Sequence, residues 1–472
     1  MADNSVYLRW FASVGNDDVA LVGGKNASLG EMYHELGSQG IRIPNGFALT
    51  AQSYYEALEA ANAGPALHAL LDNLDITDLA LLAKNAAEAR RIVHAATGAG
   101  AMRQRIAAAY QVLEKEYGAN VAVAVRSSAT AEDLPTASFA GQHETYLNIS
   151  GADDLFEACR QCFASLFTDR GIVYRVNNGF DHFKVGLSVG VMKMVRSDIG
   201  ASGVIFTLDT ESGFRDVVLI TGSYGLGENV VQGTVDPDEF YVHKPTFRKG
   251  HRAVLRRSLG QKQVTMTLKK GHTGSSTRNE PTSLVKQARF CLTDDEALTL
   301  AGYAIAIEDH YSARAGHPQP MDIEWAKDGV DGLLYIVQAR PETVASRRSA
   351  TMLETYALTG DGPVLVSGKA VGEKIGSGVV RVIASTEELR TFRPGEVLVA
   401  SATNPDWEPV MKTAGAIVTD HGGRTCHAAI VARELGVPAI VGTGNATTTL
   451  KTGARVTVSC AGETGAVYAG DV

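Results

Sequence analysis

His427 stands within Ala414–Gly442, AGAIVTDHGGRTCHAAIVARELGVPAIVG, with Arg424 and Thr425 just before it. An imidazole beside a guanidinium and a hydroxyl suits the carriage of a phosphoryl group on a ring nitrogen. Asp322 and Glu324 are two residues apart in QPMDIEW. On a strand that spacing puts both carboxylates on one face, and hard oxygen ligands of this kind suit Mg2+ held between protein and nucleotide. Gln338 and Arg340 repeat the spacing in LLYIVQARP. Lys25 follows two glycines in VGGKNASLGEM, and Arg126 precedes Ser127 and Ser128. Both cations are of the type that grips phosphate, the lysine as a point charge and the arginine as a fork.

The elements that must position these groups can be read from apolar runs and glycine punctuation. Ala416-Ile417-Val418 reads as a buried strand ending in the turn Thr419–Gly423, and AAIVAREL as a helix stopped by Gly436 with Pro438 beyond. Ala439–Gly442 reads as the next buried strand. His427 therefore opens a helix, where backbone N–H groups and the positive dipole end favour a phosphate. The bland alternative is a histidine that merely caps the helix or lies on the surface. Val22–Met32 reads either as a glycine loop presenting Lys25 to a phosphate or as a plain turn before a surface helix; the Walker pattern GxxxxGK[ST] is absent. Val121–Val125 is a buried strand expected to deliver Arg126 at its end. The small-residue stretch from Leu134 through Gly141 to Gln142 reads as a cover over phosphates or as a polar surface loop.

Between these stretches, Ala51–Gly118 has alanine-rich helical periodicity and reads as an all-helical insertion. Residues 187–195, 203–207 and 217–221 read as strands. Residues 244–282 carry ten Lys and Arg side chains on strands with a solvated face; with no aromatic ladder they are not read as a nucleic-acid site. Residues 341–362 are polar and read as a domain boundary and hinge, after which a small α/β domain ends near Val472.

The chain has 472 residues, enough for roughly three domains, and a formal net charge of -8, which argues against a nonspecific nucleic-acid or membrane-surface binder. Five scattered cysteines form no disulfide framework. Cys159 and Cys162 are spaced as CxxC but fall on the apolar face of the helical run DDLFEACRQCFASLF, and read as core. The first ten residues lack the pattern of a signal peptide, and no stretch approaches the ~18 apolar residues of a membrane span. A cytoplasmic location is the expectation.

Seven motifs, GGKNASLGEM, IPNGFALT, AVRSSATAEDLPTASFAGQ, YGLGENVVQGTVDPDEF, PMDIEWA, IVQARPET and GGRTCHAAIVARELGVPAIVG, follow one another along nearly the whole chain. In these motifs the chain resembles the phosphoenolpyruvate synthase and pyruvate phosphate dikinase family of PEP-utilising enzymes. The resemblance implies an α/β (α+β) architecture: a two-part ATP-grasp nucleotide-binding domain over 1–345, a linker over 346–364 and a swivelling β/β/α phosphohistidine domain over 365–472. It implies that ATP phosphorylates His427 with release of AMP and phosphate, and that the phosphoryl group passes to pyruvate in the complete enzyme. Lys25, Arg126, Gly141, Asp322, Glu324, Gln338 and Arg340 fall on nucleotide-binding positions, Glu324 and Gln338 on Mg2+ ligands, and Thr425 on the target of a regulatory kinase-phosphorylase. Met192 stands where many relatives carry glutamine. Relatives continue into a pyruvate-binding barrel, so a partner subunit holding the acceptor site is one expectation. The alternatives are a dikinase that uses inorganic phosphate, a phosphocarrier subunit with another acceptor, and a non-catalytic nucleotide-binding regulator.

Overall fold

The structure, a computed structural model, describes residues 6–76, 78–98, 100–130, 145–269, 277–342, 356–360, 362–424, 426–462 and 464–472. The chain divides into two units. One comprises Met1–Val195, Leu268–Arg278 and Tyr335–Arg340; the other comprises Arg196–Thr267, Asn279–Leu334 and Pro341–Val472. The stretch read as a hinge lies largely outside the described residues.

The first unit joins a five-stranded sheet to a helical layer. The sheet runs Leu8–Trp10, Gly46–Leu49, Leu187–Lys193, Val123–Ala129, Thr145–Ile149. Ala51–Ala60, Gly64–Leu71, Leu79–Ala96 and Met102–Tyr117 are helices, as their periodicity predicts. They and Ala152–Ala164 build one apolar core that includes Cys159 and Cys162, both fully buried.

Two readings are corrected here. The strand carrying Arg126 does not stop before it: Arg126, Ser127 and Ser128 continue the antiparallel ladder opposite Gly190, Val189 and Ser188, so Arg126 is a mid-strand residue. The two glycines before Lys25 are not a loop. Val19–Glu31 is a helix interrupted at Gly23, whose φ of 73° and ψ of 163° leave helical space. Only glycine fits there, because a Cβ would lie 2.3 Å from the Ser128 hydroxyl oxygen. The break sets Lys25 in the first turn of the second helical piece.

In the second unit, an antiparallel sheet runs Met321–Lys327, Ala201–Phe206, Val217–Tyr224, Asp238–His243, Val254–Ser258. One face holds Ile323, Ile205, Ile220 and Phe240 in a cross-strand row and packs under the helix Asp294–Ala315. Its partner is a closed seven-stranded barrel ordered Val364–Val371, Ala439–Val441, Ala416–Thr419, Val397–Ala400, Ile375–Val382, Arg455–Ser459, Thr464–Ala469. Ile375–Val382, Val397–Ala400, Ala416–Thr419 and Ala439–Val441 are parallel neighbours in turn. The runs Val397–Ala400, Ala416–Thr419 and Ala439–Val441 are buried on both faces, as inner parallel strands require, whereas Ile375–Val382 is only partly covered. Among the described residues no helix is long and apolar enough to cross a membrane.

Candidate functional site

His427 is the first residue of the helix His427–Leu435, which ends at Gly436 in the left-handed conformation, φ 68°. The flanking strands fall where the apolar runs place them. Ala416–Thr419 and Val397–Ala400 are parallel neighbours, so the segments following them leave the barrel at the same end. That end collects loops, as open parallel sheets do at their carboxyl edge. The Thr403 hydroxyl, buried at 3% exposure, lies 3.1 Å from Nδ1 of His427 and fixes the ring. Burial pulls the imidazole pKa down to about 4 against the opposing pull of Glu408 and Asp406. The ring is therefore neutral and nucleophilic at neutral pH.

Asp322 and Glu324 share a face of Met321–Lys327, as the spacing predicts: both are half-buried while Met321, Ile323 and Trp325 are buried on the other side. Cross-strand register extends that face across the sheet. One row is Glu324, Val204, Thr221, Glu239, Ser258; the next is Asp322, Phe206, Leu219, Tyr241, Arg256. The barrel sits on this same face. Arg424 donates to the Tyr241 hydroxyl at 3.3 Å, and the Lys369 ammonium lies 2.9 Å from Glu239 and 2.8 Å from Asp236. The histidine-bearing barrel and the two carboxylates thus share one side of one sheet.

In the first unit the structure brings Arg126 to Gln338. The guanidinium donates to the Val337 carbonyl at 3.0 Å and to Oε1 of Gln338 at 2.7 Å. Ser28 donates to the Ala339 carbonyl at 2.7 Å, tying the Lys25 helix to the same strand, Leu334–Pro341, that carries Arg340. Asn26 is buried; its backbone N–H donates to Ser128 at 3.3 Å and its amide to Ser188 at 3.1 Å. The helical turn that follows Lys25 is therefore tied to three strands. Met192 is buried in Leu187–Lys193, between Gly46 and Ala124 in the ladder. Gly141 and Thr425 lie outside the described residues.

Sequence reasoning did not find Thr403, nor the acidic side chains Glu211, Asp236 and Glu239 that face the barrel. The signal for Thr403 was its place just after a buried strand parallel to the one preceding the histidine turn. For the acidic set there was no local signal.

A two-layer nucleotide-binding architecture followed by a small barrel with a histidine at a helix start is the class of protein that this fold defines. A family model described as "Pyruvate phosphate dikinase, AMP/ATP-binding domain" matches residues 19–359, and one described as "PEP-utilising enzyme, mobile domain" matches 392–463. The chain belongs to the pyruvate phosphate dikinase, AMP/ATP-binding domain family. It is 56% identical to a phosphoenolpyruvate synthase of Pseudomonas aeruginosa over 99% of this chain and 58% of that protein. It is 52% identical to one of Synechocystis over 98% of this chain and 57% of the relative, and 50% identical to one of Escherichia coli over 99% and 58%. The chain thus spans a little under three fifths of the length of these relatives.

Proposed function

We propose that this chain carries out the ATP-dependent loading of His427 in the synthesis of phosphoenolpyruvate from pyruvate, ATP and water. The observation that carries the reading is the neutral, Thr403-held imidazole on a barrel seated over the carboxylate-bearing sheet face. The relatives named phosphoenolpyruvate synthase support the substrate.

In this reading Nδ1 is engaged by Thr403 and Nε2 attacks the β-phosphorus of ATP, with AMP leaving. Water removes the γ-phosphoryl group as inorganic phosphate, and phospho-His427 delivers the β-phosphoryl group to pyruvate. Lys25, Arg126 and Arg340 stabilise the negative charge that grows on the transferring group, so catalysis is mostly positioning and electrostatics. Gly141 is a further nucleotide-binding position. Asp322, Glu324 and the Gln338 oxygen are hard donors that fit Mg2+, with Glu324 and Gln338 as ligands. Bound there, the ion would neutralise phosphate charge and orient the reacting group. Residues 1–345 form the nucleotide domain, 346–364 the linker, and 365–472 the domain that travels. Thr425 is the position at which a regulatory kinase-phosphorylase acts, and the reaction takes place in the cytoplasm.

The test uses ATP labelled in turn at the β and γ positions. β-Label is expected on the protein in an acid-labile form with one AMP released per label, and γ-label in free phosphate. Glu324→Ala is expected to abolish labelling. Retention of γ-label on the protein, or release of ADP in place of AMP, contradicts the reading.

A further inference from the structure

The contact between barrel and sheet includes several charged groups. Glu211, in the turn after Ala201–Phe206, is 8% exposed and meets Arg433, also 8% exposed, from the last turn of the His427 helix. Arg433 donates through Nε at 3.1 Å and through a terminal nitrogen to the same carboxylate oxygen. The Gly372 N–H donates to the other oxygen at 3.1 Å. A second cation of the barrel, Lys369, lies between Asp236 and Glu239; burial works to lower its pKa, but the two carboxylates outweigh it and hold it above the ordinary lysine value. Backbone comes close beside these pairs. A Cβ on Gly233 would lie 2.4 Å from the Cys426 Cβ, and one on Gly423 would lie 2.7 Å from Pro237. Gly423 and Cys426 are therefore pressed onto Pro237 and Gly233 of the sheet layer.

Buried charge pairs have a property that apolar contacts lack. Their attraction roughly balances the desolvation they require, so they add little net stability while penalising any arrangement that leaves one charge buried alone. Such an interface fixes one geometry and still opens at low net cost, because the separated charges regain water. A purely apolar seam of the same area would hold far more firmly. The seam here contains a cavity of about 630 Å³, lined among others by Glu211, Tyr241, Arg424 and Cys460, so it is not closed by apolar packing alone.

We infer that Glu211–Arg433, with Lys369 between Asp236 and Glu239, is a charge clasp that sets the loading position of the histidine barrel and releases it again. These are positioning residues, and the inference rests on the reading that His427 is loaded on this sheet face and then travels. The clasp acts on both ends of the mobile element: Arg433 sits on the helix that His427 begins, and Lys369 on a barrel strand.

The experiment measures distances between spin labels on Lys249→Cys and Arg390→Cys, both exposed positions, in the full chain without nucleotide. The five native cysteines are buried in the docked form; Cys426, which lies against Gly233, and Cys460, which lines the seam cavity, are replaced by serine so that undocking exposes no further thiol. The unaltered clasp is expected to give one dominant distance. Glu211→Gln and Arg433→Met should each add a longer population and lower the ratio of docked to undocked forms about tenfold. The charge exchange Glu211→Arg with Arg433→Glu should restore most of the docked population, and its recovery shows that the single variants failed by charge and not by misfolding. Unchanged distances in both single variants, or an exchange no better than the singles, overturn the clasp. Because no nucleotide is present, these results stand apart from whether His427 accepts phosphate; labelling of His427 from ATP, followed in parallel, tests that reading alone.

Discussion

The most informative perturbation is acid. An ordinary imidazole titrates near 6.5, whereas burial in the barrel holds His427 at about 4, with Glu408 and Asp406 resisting the shift. At pH 6 an unperturbed ring would be roughly one quarter neutral, and a ring with a pKa of about 4 is roughly 99% neutral. The rate of loading from ATP should therefore hold as pH falls from 7.5 to 5.5, apart from changes in ATP itself. The same shift bears on stability. The folded state disfavours the protonated ring, so the unfolded chain binds more protons between the two pKa values. The contribution is fully present above about 6.5 and is lost as pH falls toward about 4. Two and a half units correspond to roughly 3 kcal/mol at full effect, an upper figure for a half-buried ring that solvent partly screens. His427→Gln should flatten the urea midpoint against pH across that window relative to the unaltered chain. Carbon-13 labelling of the histidine rings and titration of the His427 signal gives the pKa directly. A midpoint near 6.5, with loading falling to half there, would refute the argument that burial dominates this ring.

Gly23→Ala places a methyl against Ser128 at a φ of 73° and is expected to destabilise the first unit by about 2–4 kcal/mol and weaken ATP binding, read by urea unfolding and calorimetric titration. Lys262 and Asp238 form a fully buried pair 2.5 Å apart, so Lys262→Met should cost about 3–5 kcal/mol in urea unfolding. Arg126→Lys keeps the charge but loses the planar fork that reaches Val337 and Gln338 together, and should weaken binding of a non-hydrolysable ATP analogue about tenfold.

The local grammar of the chain was legible where neighbours along the sequence decide structure. The apolar runs at Ala416–Val418 and Ala439–Val441, with Gly436 and Pro438 after the helix, place His427 at a helix start because strand, turn and cap signals there are all short-range. The shared face of Asp322 and Glu324 follows from period two alone. What escaped depends on pairing across long separations. Arg126 lies inside its strand because Leu187–Lys193, more than 60 residues on, extends the ladder past it. Gly23 reads as a loop glycine until Ser128 is seen to come within reach of it. Glu211 and Arg433 are 222 residues apart, and nothing near either one marks it as the other's partner. Charged side chains on a surface and at a charge-matched seam look alike in sequence, since composition does not report what covers them.

The central claim is that His427 is the phosphoryl carrier. The most direct measurement is site mapping after brief incubation with Mg2+ and ATP, with proteolysis at alkaline pH, where phosphohistidine survives, and mass analysis of the peptide containing residues 425–433. The account expects one added phosphoryl group on His427, lost on acid treatment and absent from His427→Ala. Phosphate on another residue, or equal incorporation in His427→Ala, would contradict it.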